Sequence, residues 1–256
     1  MTQLWMKAIR ESRVRLIMGA VMMGWICCVL VWVSTSMNEP PGASVLREAA
    51  AAGFNQARAH DFLWWRVFVS SAGFTWMMMG TFLAGAGMNT QTMYGTRQGV
   101  HPSMLFTLSL PVRRRDLVLT RSLIGALAAF VLAYVPAVVL AAVTPFTTKY
   151  PLHLGDAMVY STFLAVGGMA LYWLAVLLSA VLDEQYQLYT SWVCGALIIG
   201  LGMLTKLPLI SQFVNFTSGA AWNLTHTISW GTVGTLLVIS IALLVGTLRI
   251  AEQREY

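Results

Sequence analysis

Charge is scarce in this chain of 256 residues: only 10% are Asp, Glu, Lys or Arg, against 57% hydrophobic. A soluble globular domain carries roughly 25% charged residues. The chain therefore has too little charge to cover a water-facing surface of its own. Cysteine is nearly absent as well. Cys27, Cys28 and Cys194 all sit inside apolar runs, with no CxxC or Cys/His spacing. That pattern excludes a disulfide framework and a zinc site, and leaves small hydrophobic packing residues. No G-x-x-x-x-G-K-[ST] loop occurs, and the only lysines are Lys7, Lys149 and Lys206. A phosphate cradle needs glycine amides and a lysine at fixed spacing, so the chain is not expected to hydrolyse ATP by itself.

What is present is apolar sequence in long runs. Crossing about 30 Å of hydrocarbon takes about 20 mostly apolar residues. Six stretches meet this: 16–36, 67–88, 122–144, 157–182, 188–205 and 228–248. None carries a central charge, which would cost about 2.5–3.5 kcal/mol to insert. Arg10, Arg13 and Arg15 precede the first run as in a signal peptide. The run is of full spanning length, however, and no A-x-A site follows, so it reads as a retained span. The expectation is one all-α membrane domain over residues 1–256, with six transmembrane helices.

An even count puts both termini on one side. With that side cytoplasmic, the inner segments hold Lys7, Arg10, Arg13, Arg15, Arg97, Arg113, Arg114, Arg115, Arg121, Arg249 and Arg254, which is 11 of the 16 basic residues. The positive-inside bias then gives cytoplasmic termini in a cell membrane. The net charge of +6 belongs to this topology and to anionic headgroups, not to a nucleic-acid partner.

Between the runs, residues 2–15 are amphipathic, with Leu4, Trp5, Ala8 and Ile9 on one helical face and Lys7, Arg10 and Arg13 towards another. They predict a helix lying in the inner interface before the chain turns into the first span. The outer segment 43–66 ends in Trp64 and Trp65, read as an interfacial belt. Segment 206–227 is too apolar for a free loop and too broken for a span. Short re-entrant or interfacial helices fit it, as does a loop packed over the bundle. Small residues recur at Gly80, Ala84 and Gly87, at Ser122, Ala126 and Ala129, and at Ala196 and Gly200. Such spacing allows close helix approach. Pro136 predicts a kink in the third span.

Polar chemistry is sparse. His60 and Asp61 read as a surface polar pair rather than a metal site. Asp183 and Glu184 close the fourth span, and Met77–Met79 point in different directions on a helix and do not form a copper site. No catalytic pair or membrane-embedded charge pair appears, which argues against an intramembrane enzyme. The absence of repeats and buried ionisable residues argues against an ion-driven secondary transporter. A non-transporting assembly factor is the remaining alternative.

The connection from 89 to 121 is the informative one. Gly95 to Pro102 breaks any helix leaving the membrane. Ser103 is a candidate N-cap for a short apolar helix over Met104–Leu110, which Pro111 follows. The run from Thr107 to Leu123, TLSLPVRRRDLVLTRSL, resembles the signature of type-2 ATP-binding-cassette (ABC) transporter permeases. In that family it follows the second span and leads into the third. The six spans, the amphipathic N-terminal helix and the broken outer helices agree with it.

The resemblance implies a permease subunit of an ABC exporter. Two such subunits, as homodimer or heterodimer, would work with two separate ATPase subunits that bind the ATP and magnesium. A hydrophobic or amphipathic substrate would move by alternating access. A cytoplasmic coupling helix within Arg97–Leu110, using Leu105, Phe106 and Leu108, would meet the ATPase. Pro111, Arg113, Arg114, Arg115 and Asp116 would form the turn back to the membrane. Thr81, Asn89 and Thr90 are candidate pathway residues. One departure stands out: family members often carry a glutamate before the apolar stretch, whereas Thr96, Arg97, Gln98 and Gly99 stand here, with no acid from Asn89 through Arg115.

Overall fold

The computed structural model describes residues 2–36, 42–51, 59–66, 80, 83–84, 114–182, 184–204, 208–217 and 228–253. Among them the only regular structure is helical. Seven helices are delimited: α1 (Thr2–Ser36), α2 (Ala43–Ala51), α3 (Arg114–Thr147), α4 (Leu154–Val181), α5 (Glu184–Leu204), α6 (Pro208–Thr217) and α7 (Trp230–Gln253). Residues 59–66, Gly80, Leu83 and Ala84 are also helical. Four helices are long and apolar enough to cross a membrane: α1 over Leu16–Val33, then α3, α4 and α7. The architecture is that of an all-helical, membrane-embedded protein. Among the described residues of α5 the apolar stretch is Tyr189–Ile198. Of the run 67–88, only Gly80, Leu83 and Ala84 are among the described residues.

Two expectations about helix ends are corrected. Residues 2–15 are not a separate interfacial helix, because α1 is continuous over its 35 residues. No glycine or proline interrupts it before Gly19, so no break is encoded where the turn was expected. Likewise Arg114, Arg115 and Asp116 are not a turn. They are the first residues of α3, where the carboxylate of Asp116 suits the positive end of the helix dipole. The helix also runs through Pro136 and Pro145.

Several hydroxyl side chains at membrane depth bond within their own helix, while Ser161 Oγ and Ser191 Oγ are buried without a hydrogen-bond partner. Thr162 donates to the carbonyl of Met158, Thr217 to Phe213 and Thr247 to Leu243, each at 2.8 Å. Such bonds leave no donor facing lipid unsatisfied.

The core centres on α4, whose buried face carries Ala157, Leu164, Ala165, Tyr172, Ala175 and Val176. Met23 and Leu30 of α1 and Leu132, Ala133, Ala137 and Leu140 of α3 complete the main cluster, with Leu83 and Ala84. On the other side of α4, α6 and α7 form a second cluster around Phe163, Phe213, Phe216 and Leu236. Lipid tails are as apolar as leucine, so in a bilayer this packing is held by close fit rather than by escape from water.

The two ends of the bundle differ. At one, the loop end, α2 and 59–66 pack together through Ala49 and Phe62 and through an ion pair between Glu48 and Arg66. The indole N–H of Trp64 donates to the carbonyl of Tyr150 at 2.8 Å, and the rings of His60 and Tyr150 stack with centroids 3.6 Å apart. Trp64 is only 3% exposed, so it pins the loop after α3 and is not part of a belt. At the other, terminal end, Leu248 and Ala251 near the end of α7 meet Val118 near the start of α3. Because α1 leads into α2 at the loop end, it runs parallel to α3. Thr2 at the start of α1 and Gln253 at the end of α7 therefore both lie towards the terminal end.

Leu83 and Ala84 locate another part of the chain. A Cβ built on Gly125 would lie 3.2 Å from the carbonyl oxygen of Leu83, and Ser179 Oγ is 3.5 Å from that of Ala84. Gly125 is roughly 33 Å from the loop end of α3 at 1.5 Å per residue. Arg66 thus lies at the loop end, whereas Leu83 and Ala84 lie nearer the terminal end.

Candidate functional site at the terminal end and in the α4–α7 cavity

Of the residues expected to couple to an ATPase, Arg97, Leu105, Phe106, Leu108, Pro111 and Arg113 lie outside the described residues. So do the pathway candidates Thr81, Asn89 and Thr90, and also Asp183 and Met77–Met79. Arg114, Arg115 and Asp116 are described and sit together at the terminal end of α3. Arg115 is exposed and Asp116 half-buried. One turn on, Thr120 Oγ donates to the carbonyl of Asp116 at 2.7 Å.

Arg121, counted in the sequence only as an anchoring charge, is 7% exposed. It interacts with its surroundings. It lies on the stripe Val118, Ser122, Gly125, which faces the core at helical spacing. There the hydroxyl of Tyr172 donates to the carbonyl of Ser122 at 2.7 Å. The terminal end of α3 is thus locked to α4 through Ser122, which is itself part of the motif run. The spacing of Ser122 and Ala129, both buried, was the signal for this face. The decisive glycine, Gly125, was not singled out. The Ala196 and Gly200 pair on α5 faces outward instead: Ala196 is exposed and Gly200 has nothing within 4 Å of a built Cβ.

At the loop end, His60 is half-buried rather than a surface polar residue. Its Nδ1 is buried without a hydrogen-bond partner, and one face of its ring is covered by the Tyr150 ring. Among the described residues no group of three His, Cys, Asp or Glu could hold a metal ion. Cys27 is buried, Cys28 exposed and Cys194 half-buried, all as free thiols.

Segment 206–227 contains the second feature. Its residues 208–217 form α6, and Lys206 and 218–227 lie outside the described residues. Helix α6 packs against the middle of α4. Phe216 meets Phe163 edge-to-face, with ring centroids 5.1 Å apart at 86°. Gly167 makes the approach possible: a Cβ there would collide with the Thr217 hydroxyl and lie 3.2 Å from Thr217 Cα. A cavity of about 290 Å³ opens beside this contact. It is lined by Ala170, Leu171 and Leu174 of α4, Ile198 of α5, Ile210 and Phe213 of α6, and Thr232, Thr235, Leu236, Ile239 and Leu243 of α7. Its two hydroxyls are already engaged. Thr232 Oγ lies 2.7 Å from Ser229 Oγ, and Thr235 Oγ donates to the carbonyl of Thr232 at 2.8 Å. The site can hold an aliphatic group by dispersion; it offers no nucleophile, acid or base.

Comparison of the chain with protein-family models, curated proteins and solved structures found no match.

Proposed function

We propose that this chain is the membrane permease subunit of an ABC exporter. It would have six spans, short re-entrant helices before the last, and both termini in the cytoplasm. It works as a homodimer or heterodimer with two ATPase subunits, which bind ATP and magnesium. The substrate is hydrophobic or amphipathic.

The observation that carries this reading is the position of Arg114–Asp116. They lie within the arginine-rich motif and are the first residues of a continuous 34-residue helix. A push on the segment before Arg114 is delivered straight into α3, and from α3 into α4 through Tyr172 and Ser122. A stiff helix about 50 Å long, at 1.5 Å per residue, suits the transmission of ATPase closure to the spans. The short helix α6 against the middle of α4 fits the broken helices expected before the last span. The location of Thr2 and Gln253 towards one end of the bundle fits an even number of crossings.

The test is capture of the tagged chain from native membranes in mild detergent. The captured complex is expected to hydrolyse ATP and to contain an ABC ATPase. Replacing Leu105, Phe106 and Leu108 with aspartate should remove both while the chain still inserts. Retention of the ATPase by that variant, or its absence from the unaltered complex, would overturn the reading.

A further inference from the structure

We infer that the cavity between α4 and α7 seats one acyl chain of a phospholipid from the loop-end leaflet of the surrounding bilayer. The inference rests only on the chain's residence in a membrane and goes beyond the coupling to an ATPase.

Three properties select this occupant. The first is polarity. Apart from Thr232 and Thr235 the lining is hydrocarbon, and both hydroxyls are already bonded. A polar ligand would surrender its hydrogen-bond partners and find none here, whereas an aliphatic chain exchanges contacts with neighbouring tails for dispersion contacts along the walls at no desolvation cost.

The second is direction. On α7 the lining runs from Thr232 to Leu243. Eleven residues at 1.5 Å span about 16 Å, close to half of the roughly 30 Å hydrocarbon thickness. The upper end is marked by Ser229 and by Trp230, which is 73% exposed just above the cavity. Exposed tryptophan collects at the headgroup level. The cavity therefore descends from an interface into the hydrocarbon, as a lipid chain does.

The third is access and size. Thr235 and Ile239 on its rim are exposed, so the cavity is reached sideways from the bilayer. Its 290 Å³ is at the lower limit of the roughly 300–1,000 Å³ of small-molecule sites. That accommodates a single chain, and leaves the headgroup outside near Ser229.

The experiment uses the purified full chain in detergent with trace phospholipid bearing a mid-chain diazirine, and maps adducts by mass spectrometry. Saturable labelling of Phe213, Leu236 and Ile239 is expected, at least fivefold above that of Trp25 and Trp32 on the exposed face of α1. Ala170→Phe, and separately Leu174→Phe at the half-buried wall, should each lower the cavity labelling at least fivefold and leave the α1 labelling unchanged. If Ala170→Phe fails to fold, Leu174→Phe alone decides. Equal labelling of cavity and α1 face, or labelling insensitive to the cavity-filling variant, would overturn the proposal. So would displacement of the label by free fatty acid but not by unlabelled phospholipid.

Discussion

The hydroxyl of Tyr172 is held against Gly125: it donates to the carbonyl of Ser122 at 2.7 Å and occupies the space where a side chain at position 125 would begin. Two helices, and through Leu83 a further part of the chain, meet at this point.

Gly125→Ala should therefore destabilise the protein although alanine is the better helix former by about 1 kcal/mol. Overpacking costs about 1–3 kcal/mol. Tyr172→Phe removes a bond worth about 0.6–1.7 kcal/mol in a membrane bundle. The double variant should lose clearly less than the sum, because the phenyl ring no longer meets the new methyl. Thermal unfolding of the four proteins in detergent checks this, and strict additivity would contradict it.

At Gly167 the expected outcome differs in kind. The nearby Thr217 atoms include its Cα, at 3.2 Å from a built Cβ, and main chain cannot rotate away. Gly167→Ala should push α6 off α4. Maleimide labelling of a cysteine at Val214, half-buried in the unaltered protein, should accelerate at least threefold. Adding Thr217→Ala should restore only part of the protection.

Trp64→Phe tests the loop end. It keeps an aromatic ring at the site but deletes the donor to the Tyr150 carbonyl and empties part of the space the indole fills. The loop amide of Leu152 bonds to Thr144 Oγ at 3.2 Å. Loss of about 0.5–1.5 kcal/mol should quicken hydrogen exchange there about two- to tenfold, with exchange in the middle of α4 unchanged.

The proposed orientation is checked by reporters. A fusion after Gln253 should report the cytoplasm, and one inserted after Gly42 the opposite side. Reports from the same side would refute it.

Long spans were legible because length and apolarity are local properties. Run 122–144 lies within α3, run 157–182 lies within α4 except for its last residue, and 228–248 corresponds to α7 with a few residues' difference at each end. The helix within 206–227 was legible too, as a segment unsuited to either loop or span. Trp64 was misread because a tryptophan beside an arginine looks the same in sequence whether its N–H meets water or a carbonyl 86 residues away. The burial of Arg121 was not legible for a related reason: its charge is local information, its burial is not.

Taken by itself, the sequence determined that the chain has the apolar runs of a membrane protein and contains no G-x-x-x-x-G-K-[ST] stretch. Scarcity of charge and the spacing of glycine and lysine decide those points without reference to any neighbour. Only the tertiary structure decided which small residues count. Gly125 and Gly167 are required by the atoms of Tyr172, Leu83 and Thr217, which come from distant parts of the chain, while Gly200 meets nothing. It also decided that a cavity exists, since a void is a property of four helices packed together and none of them encodes it alone.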